Sequence, residues 1–269
     1  MGGSAPVWLA DGVACDIALP ASIPAGSALA TLLQALAGLP VDAAVQEEAT
    51  RRKKLLVADM DSTMIGQECI DELAAEVGLK EHVAAITARA MNGEIEFESA
   101  LRERVALLAG LPETVIGEVI SRRITLMPGG RELVATMRAA GAYTALVSGG
   151  FTAFTGPVAA MLGFDENRAN MLLAENGKLT GKVAEPILGR QAKVDALVDI
   201  AARLGISPRD AIAVGDGAND LGMLALAGTG VALHAKPAVA EQADVRIDHG
   251  DLTALLYLQG FARTDFVTS

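Results

Sequence analysis

The sequence predicts an α/β protein built on a doubly wound parallel sheet, with an inserted helical domain and a small separate module at its N-terminus. Three observations predict it. Apolar runs at Leu55–Ala58, Tyr143 to Val147 and Ala211 to Val214 each end in a cluster of polar and glycine residues, and helical patterns separate them. Residues 76–126 show helical periodicity and no convincing strand, as expected of a domain inserted after the first strand of a βαβ series. Residues 1–50 form a short unit of their own before that series begins.

With 269 residues the chain can bury one large core, or a core plus a smaller insert. A hydrophobic content of 51% with 20% charged residues excludes a disordered chain. The longest apolar stretch, Ala28 to Val45, is interrupted by Gln34, Pro40 and Asp42, so no membrane span is expected. The sequence does not open with a cationic segment followed by an apolar run, and Cys15 and Cys69 have neither CxxC nor zinc spacing. A reduced, cytoplasmic protein is therefore expected. A net charge of −11 disfavours nucleic acids and anionic membranes as partners. An anionic substrate would have to be held by a few local cations or by a metal ion.

In the N-terminal unit, Val13, Cys15, Ile17 and Leu19 alternate with Ala14, Asp16 and Ala18 as in a half-buried strand. Leu29, Leu32, Leu33 and Leu36 repeat at helical spacing until Gly38 and Pro40, and Val41 to Val45 fits a second short strand. This β-α-β module is too short for a standard domain. Arg51-Arg52-Lys53-Lys54 follows, and four cations at a junction in an acidic protein read as a solvated linker rather than a nucleic-acid patch.

Leu55-Leu56-Val57-Ala58 is then a buried strand that releases Asp59 and Asp61 at its carboxyl end, with Ser62 and Thr63 beside them. In open α/β sheets, ligands bind at that edge. Alternation along an extended chain points the two carboxylates the same way, where they repel unless a cation sits beside them or one is protonated. Both conditions suit phosphoryl transfer, with Mg²⁺ neutralising the carboxylates, one acting as nucleophile and the other moving protons. Two solvated aspartates after a strand would look the same, so the pair alone does not decide.

Glu68 opens a helix with Ile70, Leu73, Ala74 and Val77 inward, closed by Gly78. Helical patterns follow at Val83 to Met91, Phe97 to Leu108 and Val115 to Ile120, and their expected use is a cap over the first strand's carboxyl end. Arg104 falls in the apolar stripe of Phe97, Leu101, Val105 and Leu108. Such an arginine either snorkels at the edge or meets an anion in a dry pocket. Set opposite Glu68, it would complement the carboxylate and ammonium of an amino acid; alternatively the two side chains pair with each other.

The α/β rhythm resumes with a helix from Pro128-Gly129-Gly130 to Gly141. The strand from Tyr143 to Val147 then ends in Ser148-Gly149-Gly150, ahead of a helix at Phe151. A serine hydroxyl and glycine N–H groups there can seat a phosphate, although turns use the same residues. Asn170 to Val183 alternates around Asn176-Gly177 and predicts a surface hairpin without chemistry. Lys193 lies in the first turn of the helix from Gly189 to Leu204, where a cation opposes the macrodipole. A phosphate would explain it, but taken singly it reads as a surface lysine. Ala211 to Gly215 is the next strand, and its end, Asp216-Gly217-Ala218-Asn219-Asp220, adds two carboxylates and an amide of the kind Mg²⁺ prefers. Elements from Gly230 to Leu258 complete the sheet and its covering helices.

Asp59-x-Asp61-x-Thr63, the strand ending at Ser148, Lys193 and the run from Gly215 to Asp220 stand in the order and spacing of the haloacid-dehalogenase-like phosphatases, over about residues 53–258. More narrowly, Asp-x-Asp-Ser-Thr followed by Glu68, the segment Met91-Asn92-Gly93 to Phe97, Arg104-Val105 and Val147-Ser148-Gly149-Gly150-Phe151 resemble the phosphoserine phosphatases. The resemblance implies a Rossmann-like core of residues 51–75 and 127–269 and a helical cap of residues 76–126. It also implies hydrolysis of O-phosphoserine through an aspartyl-phosphate, the last step of serine synthesis. By position, Asp59 would be the nucleophile and Asp61 the acid and base. Mg²⁺ would be held by Asp59, the backbone carbonyl of Asp61 and Asp216, with Asp220 and Asn219 assisting and Asn219 also at the substrate. Ser148, Gly149 and Lys193 would bind the transferring phosphoryl group, Glu68 and Arg104 the amino and carboxylate groups, and Met91 and Phe97 would wall the cap, with Thr63 in support. Residues 1–50 lie outside the phosphatase pattern and are expected to serve packing or dimerisation, so a homodimer is one expected state.

Two other readings remain open to the sequence. A related phosphatase or phosphotransferase could act on another small monoester such as phosphohomoserine, since one methylene is worth only about 1–3 kcal/mol of discrimination. A non-catalytic binding module is the other, and against it stand the second aspartate and the lack of a GxGxxG or Walker lysine after the first strand.

Overall fold

The computed structural model describes residues 5–91 and 94–268, apart from the side chain of Met91. The chain begins with a hairpin, β1 (Val7–Ala10) and β2 (Ala14–Asp16), and a helix, α1 (Ala25–Ala35). β3 (Leu55–Ala58) leads into four helices, α2 (Cys69–Ala75), α3 (Lys80–Met91), α4 (Phe97–Ala106) and α5 (Thr114–Arg123). Next come α6 (Gly130–Ala139), β4 (Tyr143–Phe151), α7 (Thr152–Leu162) and β5 (Glu166–Asn170), then the hairpin β6 (Leu172–Glu175) and β7 (Lys178–Val183). The chain closes with α8 (Arg190–Leu204), β8 (Ala211–Gly215), α9 (Leu221–Leu226), β9 (Thr229–Leu233), α10 (Pro237–Ala240), β10 (Val245–Ile247) and α11 (Ala254–Leu258).

Leu55, Leu56, Val57 and Ala58 are all fully buried, which a strand achieves only when both sheet faces are covered. Leu56 and Ala58 pack with residues of α6, α7 and α11, whereas Leu55 and Val57 pack with those of α8 and α9. Six strands form one parallel sheet in the order β10-β9-β8-β3-β4-β5. The chain builds outward from β3 to one side with β4 and β5, and to the other with β8, β9 and β10. The carboxyl end of β3 is therefore the switch point at which open α/β sheets bind ligands.

The helices α2 to α5 leave and rejoin the core side by side. Ile65 bridges Leu126, the Gly66 N–H donates to Thr125 O at 3.0 Å, and the Met127 N–H donates to Met64 O at 2.9 Å. The Gln67 amide and Thr125 exchange two more bonds, each 2.9 Å. The β6–β7 hairpin turns through Asn176 and Gly177 at φ 54 and 74, as the Asn-Gly pair requires. It is not a free surface hairpin. Gly110 N–H donates to Leu179 O and Leu179 N–H to Leu111 O, both at 2.8 Å, so the hairpin grips the segment that follows α4.

Two expectations for the N-terminal region are corrected. The order is hairpin then helix, not β-α-β: the predicted first strand pairs with an earlier one, and residues 41–47 form no strand. Asp42 gives the reason. Its carboxylate accepts the N–H groups of Asp248 at 2.8 Å, His249 at 3.1 Å and Gly250 at 2.7 Å, tying this segment to the loop after β10 through a side chain instead of a ladder. Nor are residues 51–54 a solvated linker. Arg51 pairs with Asp16 at 2.7 Å, Arg52 lies 3.5 Å over the Phe261 ring, and buried Lys53 donates to Arg209 O at 3.1 Å. Among the described residues no helix is long and apolar enough to cross a membrane.

Asp42→Ala is expected to lower stability by about 2 kcal/mol, because hydrogen bonds to a charged group contribute roughly 1.5–3 kcal/mol. A urea midpoint and slope equal to those of the wild type would show that residues 41–47 are not held in this way.

Candidate active site

The turn after β3 is organised by one carbonyl. Met60 O accepts the N–H groups of Thr63, Met64 and Ile65 at 3.3, 2.9 and 3.1 Å, with Ser62 in the left-handed region at φ 55. Asp59 N–H still donates to Val214 O at 3.0 Å, so Asp59 stays in register with β8 while its carboxylate reaches the sheet edge. That carboxylate is buried and lies 2.6 Å from the ammonium of Lys193, which is 2.5 Å from Asp220. Asp220, at the end of the β8 loop, is fully buried and uses its other oxygen to accept the Gly217 N–H at 3.0 Å. A Cβ at Gly215 would fall 2.7 Å from Cβ of Asp220, so only glycine lets this side chain fold beneath the strand end. The Thr63 hydroxyl donates to Asp216 at 3.0 Å.

Carboxylate oxygens of Asp59, Asp216 and Asp220 all lie within 4.8 Å of one another. Such crowding leaves marks on their protonation. Burial and the charge of Asp220 hold the Asp59 carboxyl well above the usual range, despite Lys193. The same two causes push Asp216 up to about 6. Burial disfavours the Lys193 ammonium, yet Asp220 and Asp59 outweigh it and raise its pKa. Three carboxylates and one lysine leave excess negative charge in a dry site with an all-oxygen donor set, which fits a hard divalent cation. Asp61 stands apart from this cluster. Burial and the charge of Glu68 raise it to about 7, against a hydrogen bond of 3.1 Å from the Cys69 N–H. A carboxyl with that pKa can both give and take a proton near neutrality.

The end of β4 closes on this edge from the other side. Ser148 is buried, and its hydroxyl oxygen accepts the Gly150 N–H at 2.9 Å, which leaves the hydroxyl proton to donate elsewhere. A Cβ at Gly150 would lie 3.0 Å from Asp61 Oδ2, so glycine allows the two strand ends to meet. Buried Asn170, which sequence reasoning missed, stitches the loop to the segment before α8. Its amide donates to Gly149 O at 2.8 Å and to Leu188 O at 3.1 Å, and its oxygen accepts the Leu188 N–H at 2.7 Å. An amide at a strand's carboxyl end was the available signal.

The inserted helices cover the edge. The Phe97 ring lies 3.2 Å from where a Cβ of Gly149 would stand and 3.3 Å from that of Gly189, so it rests on both glycines. Arg102, also on α4, pairs with Glu185 in the segment before α8. Arg104 is 7% exposed, with Nε donating to Ala100 O at 3.1 Å and Nη1 to the Thr87 hydroxyl at 2.9 Å. Burial lowers its pKa, and the charges of Asp71, Glu68 and Asp61 oppose the shift. Glu68 stands at the N-terminus of α2 and accepts the Ser62 hydroxyl at 2.7 Å. Among the described residues the two do not form an ion pair, which answers the alternative left open by the sequence. Asn219 lies half-buried in the β8 loop beside Gly217. The side chain of Met91, with Asn92 and Gly93, lies outside the described residues.

This chain is similar to known proteins. A haloacid dehalogenase-like hydrolase family model matches residues 56–225. The phosphoserine phosphatase of Albidiferax ferrireducens is 50% identical over 210 residues, covering 76% of this chain and 89% of that protein. A HAD family hydrolase from Salmonella enterica serovar Typhi matches with a TM-score of 0.84 at 35% identity, covering 90% of this chain and 83% of that one. A phosphoserine phosphatase solved as a phospho-aspartyl intermediate analogue matches with a TM-score of 0.72 at 42% identity, covering 77% of this chain and 98% of that one.

The carboxylate cluster makes a stability prediction with a definite sign. Because Asp216 is raised from 3.8 to about 6 on folding, the metal-free native state holds more protons than the unfolded chain in that window and loses stability as pH rises through it. Asp216→Asn should therefore match the metal-free wild type near pH 4 and melt about 2–6 °C higher at pH 7.5. It should also lose most of the stabilisation that a divalent salt gives the wild type. A metal-free variant that melts below the wild type at pH 7.5 would mean that the cluster carries no excess charge.

Proposed function

The chain belongs to the haloacid dehalogenase-like hydrolases, and we propose that it is a phosphoserine phosphatase, releasing phosphate from O-phosphoserine as the last step of serine synthesis. The observation that carries the substrate is Arg104, a buried guanidinium that pairs with no carboxylate among the described residues although the charge of Glu68 lies near it. None of the nearby carboxylates forms an ion pair with it among the described residues, so a substrate carboxylate can, and an amino acid brings one for Arg104 together with an ammonium for Glu68.

In the proposed reaction an Asp59 oxygen attacks phosphorus, the bond to the serine oxygen breaks, and Asp61 gives that oxygen its proton. Serine leaves and Asp59 is an acyl phosphate. Asp61, now ionised, takes a proton from water as the water attacks phosphorus, which returns the Asp59 carboxylate and releases phosphate. Lys193 holds Asp59 in place and, with the Ser148 hydroxyl and the Gly149 N–H, binds the oxygens of the transferring group. Mg²⁺ would be held by Asp59, Asp216 and the Asp61 carbonyl, supported by Asp220 and Asn219, and when bound it supplies the positive charge that lets a phosphate dianion approach these carboxylates. Phe97, with Met91, walls the site against water while the acyl phosphate exists.

The remaining assignments follow from this reading. Residues 76–126 act as the cap on a core of 51–75 and 127–269, supported by the paired crossings at 64–67 and 125–127. Residues 1–50 serve packing or formation of a homodimer, supported by the exposure of Val7, Trp8, Val13 and Ile17. Cys15 and Cys69 are both free thiols, in keeping with a cytoplasmic location.

Phosphate release from O-phosphoserine, with and without Mg²⁺, beside phosphohomoserine, phosphothreonine and a sugar phosphate, tests the reading. Mg²⁺-dependent preference for phosphoserine is expected, and an even spread over the panel would leave a phosphatase of another substrate. Asp59→Asn should cut turnover by about 10⁴-fold or more with the fold intact, and substantial activity would remove Asp59 as the nucleophile. Arg104→Ala should cost roughly 100-fold in kcat/KM on phosphoserine and far less on an aryl phosphate. Equal losses on the two would take the substrate carboxylate away from Arg104.

A further inference from the structure

Oδ1 of Asp71 is buried and has no hydrogen-bond partner among the described residues, and native structures seldom leave such an acceptor unpaired. Asp71 lies in the first turn of α2, three residues after Glu68, so the two carboxylates leave the helix on the same side. Its cationic neighbours are Arg104 and Lys80, and its anionic ones are Glu68 and Glu72. Both cations are engaged elsewhere. Lys80 pairs with Glu72 at 2.6 Å, and Arg104 donates to Ala100 O and the Thr87 hydroxyl. Burial and the charge of Glu68 hold Asp71 above the usual carboxylate range, which marks a group short of positive charge.

Around Arg104 stand three carboxylates, Asp71, Glu68 and Asp61. A substrate carboxylate arriving at Arg104 would add a fourth negative group, and only a ligand that carries its own cation offsets it. An ammonium has three donors to satisfy, and Glu68 already spends one oxygen on the Ser62 hydroxyl. We propose that Asp71 is the second carboxylate of an ammonium seat, sharing the substrate's amino group with Glu68 and selecting α-amino acid phosphates over hydroxy-acid phosphates. The inference rests on the reading of this site as one for phosphoserine. A purely structural Asp71, complementing the N-terminal dipole of α2, would affect stability and leave selectivity alone.

The test compares O-phosphoserine with 3-phosphoglycerate, which keeps the carboxylate and the phosphate and replaces the amine by a hydroxyl. In Asp71→Asn, kcat/KM on phosphoserine should fall about 10- to 100-fold, mainly through KM, with a much smaller fall on 3-phosphoglycerate, so that the preference between them collapses. Asp71→Ser, which suits a first helical turn, is measured in parallel and decides the matter should the asparagine variant fail to fold. An unchanged preference, with or without a lower melting temperature, overturns the assignment while leaving the phosphoserine reading intact. A wild-type enzyme that does not prefer phosphoserine over 3-phosphoglycerate overturns that reading, and this inference with it.

Discussion

The buried ammonium of Lys193 is the contact on which the sheet edge depends. It joins Asp59, at the end of β3, to Asp220, at the end of the β8 loop, with 2.6 and 2.5 Å contacts and almost no solvent at any of the three groups. Attraction in a dry interior is strong, but taking charges out of water costs several kcal/mol per ion, so such a pair holds only when its geometry and its other hydrogen bonds are satisfied. The Gly217 N–H supplies one of those bonds to Asp220. The lysine sits in the first turn of α8, where the helix dipole disfavours a cation. Its partners on neighbouring strands outweigh that effect, and its pKa rises despite burial. One lysine cannot balance the whole cluster, however, and the raised Asp59 and Asp216 express the remainder. The deficit that makes the metal-free site strained is the same property that would draw a divalent cation and a phosphate together.

The backbone makes that density of charge possible. A side chain at Gly215 would collide with Asp220, and one at Gly150 would press on Asp61 and Ser148. Both glycines therefore mark places where two strand ends approach more closely than a Cβ allows. Asn170 then fixes the third edge, because its amide satisfies main-chain groups of Gly149 and Leu188 that would otherwise be free to drift. Chemistry and fold meet in these contacts: the parallel sheet brings the strand ends level, and small residues let the carboxylates crowd.

The sequence made the strand ends legible because their chemistry is carried by side-chain type. Asp59, Asp61, Asp216 and Asp220 follow apolar runs whose four- and five-residue lengths announce a buried strand, and the structure brings them to one edge. Lys193 read singly as a surface residue, because helical position says nothing about what faces it across space. The basic run at 51–54 misled for the same reason: its partners Asp16, Phe261 and Arg209 are tens to hundreds of residues away. Residues 41–45 fit a short strand in the sequence, but Asp42 gives its carboxylate to three backbone N–H groups and no ladder forms. Asp71 is set apart only by a buried oxygen without a partner among the described residues, which nothing in its helical position signals.

On the proposed reading, selectivity and protection from water share one set of contacts. Arg104 and Phe97 lie on α4, in the helical insert, whereas Asp59, Ser148 and Lys193 lie on the core. Arg104 is anchored within the insert by Thr87 of α3 and Ala100 of its own helix. A substrate with phosphate at one end and amino acid groups at the other would, on that reading, span both parts of the molecule. Phe97 resting on Gly149 and Gly189, together with the pairing of Arg102 with Glu185, joins α4 to the core. The β6–β7 hairpin, bonded to the segment after α4, extends the same contact from the core side. A phosphate ester without the amino acid end would engage the core alone. On the proposed reading, the energy that the full substrate gains at Arg104 and Glu68 would be available to the reacting end as well as to affinity, so recognition of the non-reacting end would contribute to turnover.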